Sequence, residues 1–240
     1  CKVVLSTYWN HILDYPELEL VEPGTTVNCY ALYRIGWKWD ENKEPVLCNT
    51  IPLQQAATNI LGLEFKEIKP KLKDIYEILG NRPAYVAIAT NSTMECKFWT
   101  REGWQEVINY MHGLGYDVYN VSKEDNPFDN CTKINDTSIE NTMDVIAGAK
   151  LFIGLSSGLS WLAWALNQKI VMISNFTESD HEFDCHRITK PDVCHGCWND
   201  PNIKLDPHWL WCPRNKDFEC QRTIPASQVI EVVSSLLDHK

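Results

Sequence analysis

Residues 151–166 have the sequence LFIGLSSGLSWLAWAL, and this apolar run is the clearest structural signal in the chain. Its sixteen residues are too few to cross a membrane as a helix, and a Ser-Ser-Gly turn at 156–158 interrupts them. The apolar residues before the turn suit a buried β-strand, and those after it have the spacing of a helix. The run therefore predicts a strand at 151–154, a tight turn and a helix at 159–166.

Strands and helices alternate on both sides of this run. Further strands are predicted at 85–89, 117–121 and 169–173, and further helices at 104–114, 142–149 and 227–237. When strands and helices alternate with short connections, each helix crosses over to begin a parallel strand. We therefore expect an α/β fold with a Rossmann-like domain built on a largely parallel sheet.

The first part of the chain has a weaker pattern. Two short strands at 2–7 and 18–22 and a helix at 52–63 indicate a separate α/β segment. The charged stretch 66–73, which contains a proline, suits a linker. We expect a domain boundary there, with a partial α/β segment at 1–66 and the Rossmann-like domain at 67–240.

The overall charge excludes one class of function. The 240 residues carry a formal net charge of −10, which leaves no basic surface to displace counterions from a nucleic acid. We expect no nucleic-acid partner and no membrane span. Five Asn-x-Ser/Thr triplets occur, but two lie at predicted strand ends, which favours chance matches, and most of the ten cysteines are scattered like reduced thiols. We therefore expect a cytoplasmic protein.

Four cysteines near the C-terminus have the spacing C-x2-C-x14-C-x7-C. They are Cys194, Cys197, Cys212 and Cys220. Four thiolates in this pattern suit a tetrahedral zinc or iron site, and the enclosed loop, rich in Trp and Pro, has no helical or strand period that would fix its shape otherwise. We expect a structural metal finger at 185–222. His195 is expected to point outward, Cys185 and His186 form a weaker reserve pair, and two disulfides are the alternative.

The turn after the strand at 151–154 has the residue types of a phosphate cradle. Ser156, Ser157 and Gly158 lie where a strand meets a helix. Free amides at the helix start, two hydroxyls and a glycine that admits a close backbone approach all favour an anion. Simple N-capping by either serine is the alternative.

A second loop with anion-binding residues follows the strand at 85–89. Ser92 and Thr93 offer hydroxyl donors, and Lys97 offers a positive charge. Ligands of open parallel sheets bind beyond the carboxyl ends of the strands, so we expect both loops to flank one diphosphate. Glu182 and Asp184 follow the strand at 169–173, where a carboxylate would hold ribose hydroxyls; a solvated surface position is the alternative.

The cysteine segment and the serine turn together resemble one family. VCHGCWND at 193–200 is followed by WCPR at 211–214 and FEC at 218–220, and FIGLSSGLSWLAWA at 152–165 precedes them. With CKFW at 96–99, these motifs resemble the bacterial autotransporter strand-loop-strand O-heptosyltransferases, within the ADP-heptose-dependent GT-B glycosyltransferases. The resemblance covers most of the chain, and the cysteine segment is its most specific part.

The resemblance implies a GT-B glycosyltransferase that moves a heptose from ADP-heptose to serine hydroxyls of an autotransporter or another surface protein. The implied donor-site residues are Ser92, Thr93, Lys97, Ser156, Ser157, Gly158 and Glu182. The four finger cysteines are implied to hold one structural Fe3+ ion, although Zn2+ accepts the same thiolates. Cationic and amide donors would stabilise the charge on the leaving nucleotide. A homo-oligomer is also compatible with the family.

The resemblance leaves the acceptor side open. In the family, an acidic general base comes from an amino-terminal domain and is followed by a Gly-Asp-type turn, which this sequence lacks. Residues 1–66 resemble only the rear part of that domain. Asp14 and Asp40 are available acids, but their context distinguishes neither, so the catalytic base is unassigned. The alternatives are a non-catalytic binding or structural subunit with the same fold, and an iron protein that transfers electrons through the finger.

Overall fold

A computed structural model describes residues 2–35, 49–73, 83–204 and 209–237. The chain divides into two compact units, Cys1–Ile75 and Tyr76–Lys240. Asp40 and the finger residues 205–208 lie outside the described residues. Within the described ranges, no helix combines the length and the apolar character needed to cross a membrane.

The first unit contains a small parallel β-layer. Strands β1 (Val4–Ser6) and β2 (Glu19–Val21) pair in parallel, and a turn of 3-10 helix (Asn10–Ile12) lies between them along the chain. Helix α1 spans Leu53–Ile60. These elements match the two strands and the helix expected from the sequence.

The charged stretch at 66–73 pairs with the first unit. Leu72 forms an antiparallel bridge with Leu13, and the Asp14 N–H donates to the Lys71 carbonyl at 3.0 Å. The division between the two units falls at residue 75. The domain limits 1–66 and 67–240, and the assignment of the first unit to an acceptor side, stay predictions.

The second unit is built on a parallel sheet. Its strands are β3 (Tyr85–Ala89), β4 (Asp117–Asn120), β5 (Thr132–Lys133), β6 (Phe152–Leu155), β7 (Ile170–Ile173) and β8 (His186–Ile188). Within the described residues these six strands pair in parallel in the order β5-β4-β3-β6-β7-β8. The expected α/β class with a parallel sheet is confirmed. The two edge strands β5 and β8 were not predicted, because two or three residues are too short to show a strand period.

Helices cover both faces of this sheet. They are α2 (Arg101–Gly113), α3 (Ile139–Gly148), α4 (Gly158–Ala165), α5 (Glu219–Arg222) and α6 (Ala226–Leu237). Helix α2 begins at Thr100, whose hydroxyl accepts the Gly103 N–H at 3.1 Å. This N-cap satisfies a backbone donor that the helix itself leaves free.

Alternate residues of β3 contribute to two different cores. Val86 and Ile88 pack in the core under α2 and α6, whereas Tyr85 and Ala87 pack in the core under α3 and α4. All five residues of β3 are buried. The strand is therefore covered on both faces, which explains its uninterrupted apolar sequence.

Candidate functional site

The chain changes its direction across the sheet between β3 and β6. From β3 it runs outward through β4 to β5, and it then returns to β6 on the other side of β3. Ala89 at the end of β3 pairs with Gly154 of β6. In open α/β sheets, such a switch point opens a crevice beyond the carboxyl ends of the strands, where ligands bind. Both predicted anion loops leave the sheet at this point.

The loop after β3 is held by buried polar side chains at the end of β4 and just after it. The Thr90 N–H donates to the Ser122 Oγ at 2.9 Å, and the Asn120 Nδ2 donates to the Thr90 Oγ1 at 3.2 Å. Both partners are buried, with Asn120 at 0% and Ser122 at 2% exposure. Farther along the loop, Ser92 is half-buried and Thr93 is exposed. The loop is therefore anchored at its start and open where its predicted phosphate contacts lie.

Lys97 joins the two predicted anion loops. It ends a turn of 3-10 helix (Glu95–Lys97), and its Nζ donates to the Ser156 carbonyl oxygen at 2.8 Å. Burial lowers the pKa of Lys97 from its ordinary value, while the negative charges of Cys96 and Glu182 oppose this shift. The structure thus brings the one predicted cation of the site directly against the serine turn.

The turn between β6 and α4 leaves one hydroxyl without a partner. Ser157 is the N-cap residue of α4, yet its side chain caps no backbone N–H, and its Oγ is buried without a hydrogen-bond partner among the described residues. A side-chain carbon added at Gly158 would meet no atom within 4 Å. A buried, unpaired hydroxyl costs free energy unless a ligand pairs with it. The turn therefore suits ligand binding better than simple N-capping.

Glu182 lies in a buried ion pair beside Lys97. Its Oε1 accepts from the Ser174 Oγ at 2.6 Å, and its Oε2 accepts from the Arg187 Nε at 2.5 Å. The Glu182 side chain is 2% exposed. Both carboxylate oxygens are thus already engaged with the protein. The contact with a ribose stays a prediction, and the negative charge of Glu182 acts to raise the pKa of Lys97.

The four finger cysteines are free thiols whose ionisation is disfavoured. Burial, and after it the negative charges that Cys194, Cys197 and Cys212 would carry as thiolates, raise the pKa of Cys220 to about 12. Burial also raises the pKa of Cys197 to about 11. The Lys216 N–H donates to the Cys212 Sγ at 3.2 Å. All eight cysteines of the described ranges are free, so the alternative of two disulfides is not adopted.

The donor set of the finger fits a thiolate-bound metal in its chemistry. Among the described residues, however, no group of three or more His, Cys, Asp or Glu side chains forms a site that could hold an ion as it stands. Four cysteines lie within one segment, and zinc and iron both accept four thiolates. His195 places its Nδ1 2.8 Å from the Val193 carbonyl. The metal ligands stay a prediction.

A cavity of about 440 Å³ is lined almost entirely by residues of the finger. Its lining residues are Glu178, Val193, Cys194, His195, Gly196, Asn199, Asp200, Pro201 and Arg214. The Arg214 Nη2 and the Asp200 Oδ2 form an ion pair across 2.7 Å. None of the predicted donor-site residues lines this cavity, so it is separate from the crevice at the strand ends.

Several residues that organise the site were not predicted from the sequence. They are Ser122, Asn175, Phe176 and Arg187. Ser122 follows β4, and Asn175 and Phe176 follow β7, all at the carboxyl ends of the strands. Arg187 pairs with Glu182, which also follows β7. Position after a buried strand was the available signal in the sequence.

Comparison with known proteins identifies the family to which this chain belongs. Residues 49–191 match the model of glycosyltransferase family 9 (heptosyltransferase). The autotransporter heptosyltransferase TibC of Escherichia coli O78:H11 is 34% identical in an alignment of 244 positions, gaps included, that covers 93% of this chain and 60% of that protein. The crystal structure of the iron-containing dodecameric glycosyltransferase TibC from enterotoxigenic E. coli H10407 matches with a TM-score of 0.88 at 31% identity, over 98% of this chain and 68% of that chain.

A second TibC structure, in complex with ADP-D-beta-D-heptose, matches with a TM-score of 0.85 at 32% identity, over 98% of this chain and 68% of that chain. These matches confirm the expected GT-B-type fold. This chain spans about 60% of the length of TibC. Because the family model covers more than half of the 240 residues, the chain belongs to glycosyltransferase family 9, the heptosyltransferases.

Proposed function

We propose that this chain is the nucleotide-sugar-binding part of a heptosyltransferase, which transfers a heptose from ADP-heptose to serine hydroxyls of an autotransporter or another surface protein. The observation that carries the proposal is the hydrogen bond from the Lys97 Nζ to the Ser156 carbonyl at the switch point of the sheet. The Lys97 ammonium thus contacts the residue before Ser157, whose Oγ is buried without a hydrogen-bond partner among the described residues. The likeness to TibC, which was crystallised with ADP-D-beta-D-heptose, supports this donor.

The site would act on the leaving group of the transfer. The bond between the sugar C1 and the β-phosphate oxygen breaks, and the oxygen leaves with the electron pair. Lys97 and the free amides at the start of α4 would stabilise the charge that develops on this oxygen. The Ser157 Oγ would donate a further hydrogen bond, while the open space beyond Gly158 admits the diphosphate.

The remaining donor-site residues take supporting roles in this proposal. Ser92 and Thr93 would donate hydroxyl hydrogen bonds to the diphosphate from the loop after β3. Glu182 would favour the protonated form of Lys97, because its carboxylate acts on that charge. The base that takes the proton of the acceptor serine stays unassigned.

The finger would hold one structural ion through Cys194, Cys197, Cys212 and Cys220. The likeness to TibC, an iron-containing protein, favours iron, and four thiolates also accept zinc. Such an ion would cross-link a segment of the chain that has little regular structure. No step of the transfer passes through it.

The assembly and location belong to the same proposal. We expect a homo-oligomer, because TibC is dodecameric and its fold matches 98% of this chain. We expect a cytoplasmic protein, because the eight cysteines of the described ranges are free, as in a reducing compartment.

Calorimetric titration with ADP and with ADP-heptose tests the proposed donor site. We expect Lys97→Met to weaken the binding of ADP at least about tenfold, since a charged hydrogen bond contributes roughly 1.5–3 kcal/mol. Lys169→Met is the matched control, because Lys169 is exposed and precedes β7 at the opposite end of the sheet. Binding of neither ligand, or equal binding by the parent and Lys97→Met, would contradict the proposal and favour a non-catalytic subunit.

A further inference from the structure

We infer that Phe176 is a positioning residue that transmits the geometry of the cysteine finger to Lys97. The inference rests on the proposed donor site and goes beyond it, because it gives the finger a role in nucleotide affinity. Phe176 follows β7 and is 2% exposed. Its ring contacts both the Lys97 ammonium and two tryptophans of the finger.

The ring of Phe176 contacts the ammonium group of Lys97. The Lys97 Nζ lies over this ring at 5.7 Å from its centroid. A cation at this distance from an aromatic face is attracted by the ring, and more strongly where water is excluded. The Lys97 ammonium therefore has two partners, the ring of Phe176 and the carbonyl of Ser156.

Phe176 also contacts the finger. Its ring meets Trp209 edge-on with 5.1 Å between centroids, and Trp198 lies at 6.1 Å. The Phe176 carbonyl accepts the Trp198 N–H at 3.0 Å. Trp209 also accepts the Cys96 N–H at 3.3 Å through its carbonyl, so the finger reaches the residue next to Lys97 as well. Cys96, Phe176, Cys197 and Trp209 form one buried cluster.

Asn175 fixes the backbone at Phe176 to both ends of the finger. Its Nδ2 donates to the carbonyl of Cys220, and its own carbonyl accepts the Gly196 N–H at 2.8 Å. The Asn175 Oδ1 accepts the Lys190 N–H at 2.8 Å. These bonds join the loop after β7 to the segments that carry the first and last finger cysteines. A shift of the finger must therefore move Phe176, and with it the wall against which Lys97 rests.

The finger can thus set the position of the diphosphate-binding charge without touching the nucleotide. The finger acts on Lys97 through the ring of Phe176. Replacing this ring should therefore have no effect on ADP binding when Lys97 is absent. A residue that only stabilises the fold would affect ADP binding whether or not Lys97 is present. This difference separates a positioning role from a structural one.

A double-mutant cycle on ADP affinity, measured by calorimetry with the full chain, tests the inference. We expect Phe176→Leu to weaken ADP binding about three- to tenfold, from the size of a partly desolvated cation–ring contact. In the Lys97→Met background, the same change should leave the affinity of ADP unchanged. Phe152→Leu is the control, because Phe152 is a buried phenylalanine at the amino end of β6, and it should leave ADP binding unchanged in both backgrounds.

Each outcome of this cycle decides the inference. An unchanged affinity in Phe176→Leu, or an equal loss in both backgrounds, overturns it while leaving the donor site standing, provided that Lys97→Met alone weakens binding. A parent chain that does not bind ADP overturns both proposals. If Phe176→Leu does not fold, Phe176→Met takes its place, since methionine fills the buried volume without an aromatic ring.

Discussion

Lys97 is in a buried environment, which disfavours its positively charged form. Burial lowers the pKa of Lys97, although Cys96 and Glu182 oppose the shift. If ADP binds the charged form, its affinity should fall as the pH rises through this lowered pKa, below the ordinary lysine value of about 10.4. Over the same interval the free energy of unfolding should rise, because the unfolded chain keeps the proton longer than the folded one. Calorimetric titration from about pH 7 to about pH 10 measures the first effect.

Lys97→Met is the control for this pH dependence. Its weaker binding of ADP should change much less with pH, because the titrating amine is gone. Equal pH dependence in the two proteins would assign the effect to the phosphate or to another group.

Gly158 gives a test in which stability and binding move in opposite directions. The position opens α4 and has free space around it, so Gly158→Ala should stabilise the protein by about 0.5 kcal/mol. The same methyl group would occupy space proposed for the diphosphate, and ADP binding should weaken. Thermal unfolding and calorimetry measure the two effects, and unchanged ADP binding would place the diphosphate elsewhere.

The buried pair of Glu182 and Arg187 should matter for folding. Arg187→Met removes the partner of a carboxylate that is 2% exposed, and we expect a loss of about 3 kcal/mol in the free energy of unfolding. Urea denaturation measures it. Asp192→Asn, which removes an exposed partner of Lys190, should have little effect. A similar small effect in Arg187→Met would show that water replaces the lost partner.

At the level of elements, the finger is a segment with little regular structure. Its only helices in the described residues are a 3-10 turn (Cys197–Asn199) and the short α5 (Glu219–Arg222). We expect Cys220→Ser to lose the proposed ion and to unfold at a lower temperature, because the ion would cross-link this segment. Elemental analysis and thermal unfolding check both effects. Cys29→Ser, at an exposed thiol, is the control and should keep the metal.

The core elements were predictable and the edge strands were not. The apolar run of β3 and the run that forms β6 and α4 carry their own signal, since burial on both faces selects apolar residues throughout. Strands β5 and β8 have two and three residues, so no period is visible in them. These two segments are strands because each one pairs with the neighbouring strand, β4 or β7.

At the scale of the whole molecule, the likeness to TibC extends over 98% of the chain. TibC is dodecameric, so we expect this chain to form a homo-oligomer in solution. Light scattering on the purified protein checks this, and a monomer over the whole concentration range would contradict it.

The anion-binding role of the two loops after β3 and β6 and the metal-binding role of the four cysteines stay predictions. Local sequence was sufficient to predict the parallel α/β sheet, because strand periods and turn residues are properties of short segments. It could not place the Lys97 Nζ on the carbonyl of Ser156, since these residues are 59 positions apart and meet only when β3 and β6 pair. Nor could it show that Phe176 contacts both Lys97 and a tryptophan of the finger. Those contacts depend on the order of the strands, which is a property of long-range packing.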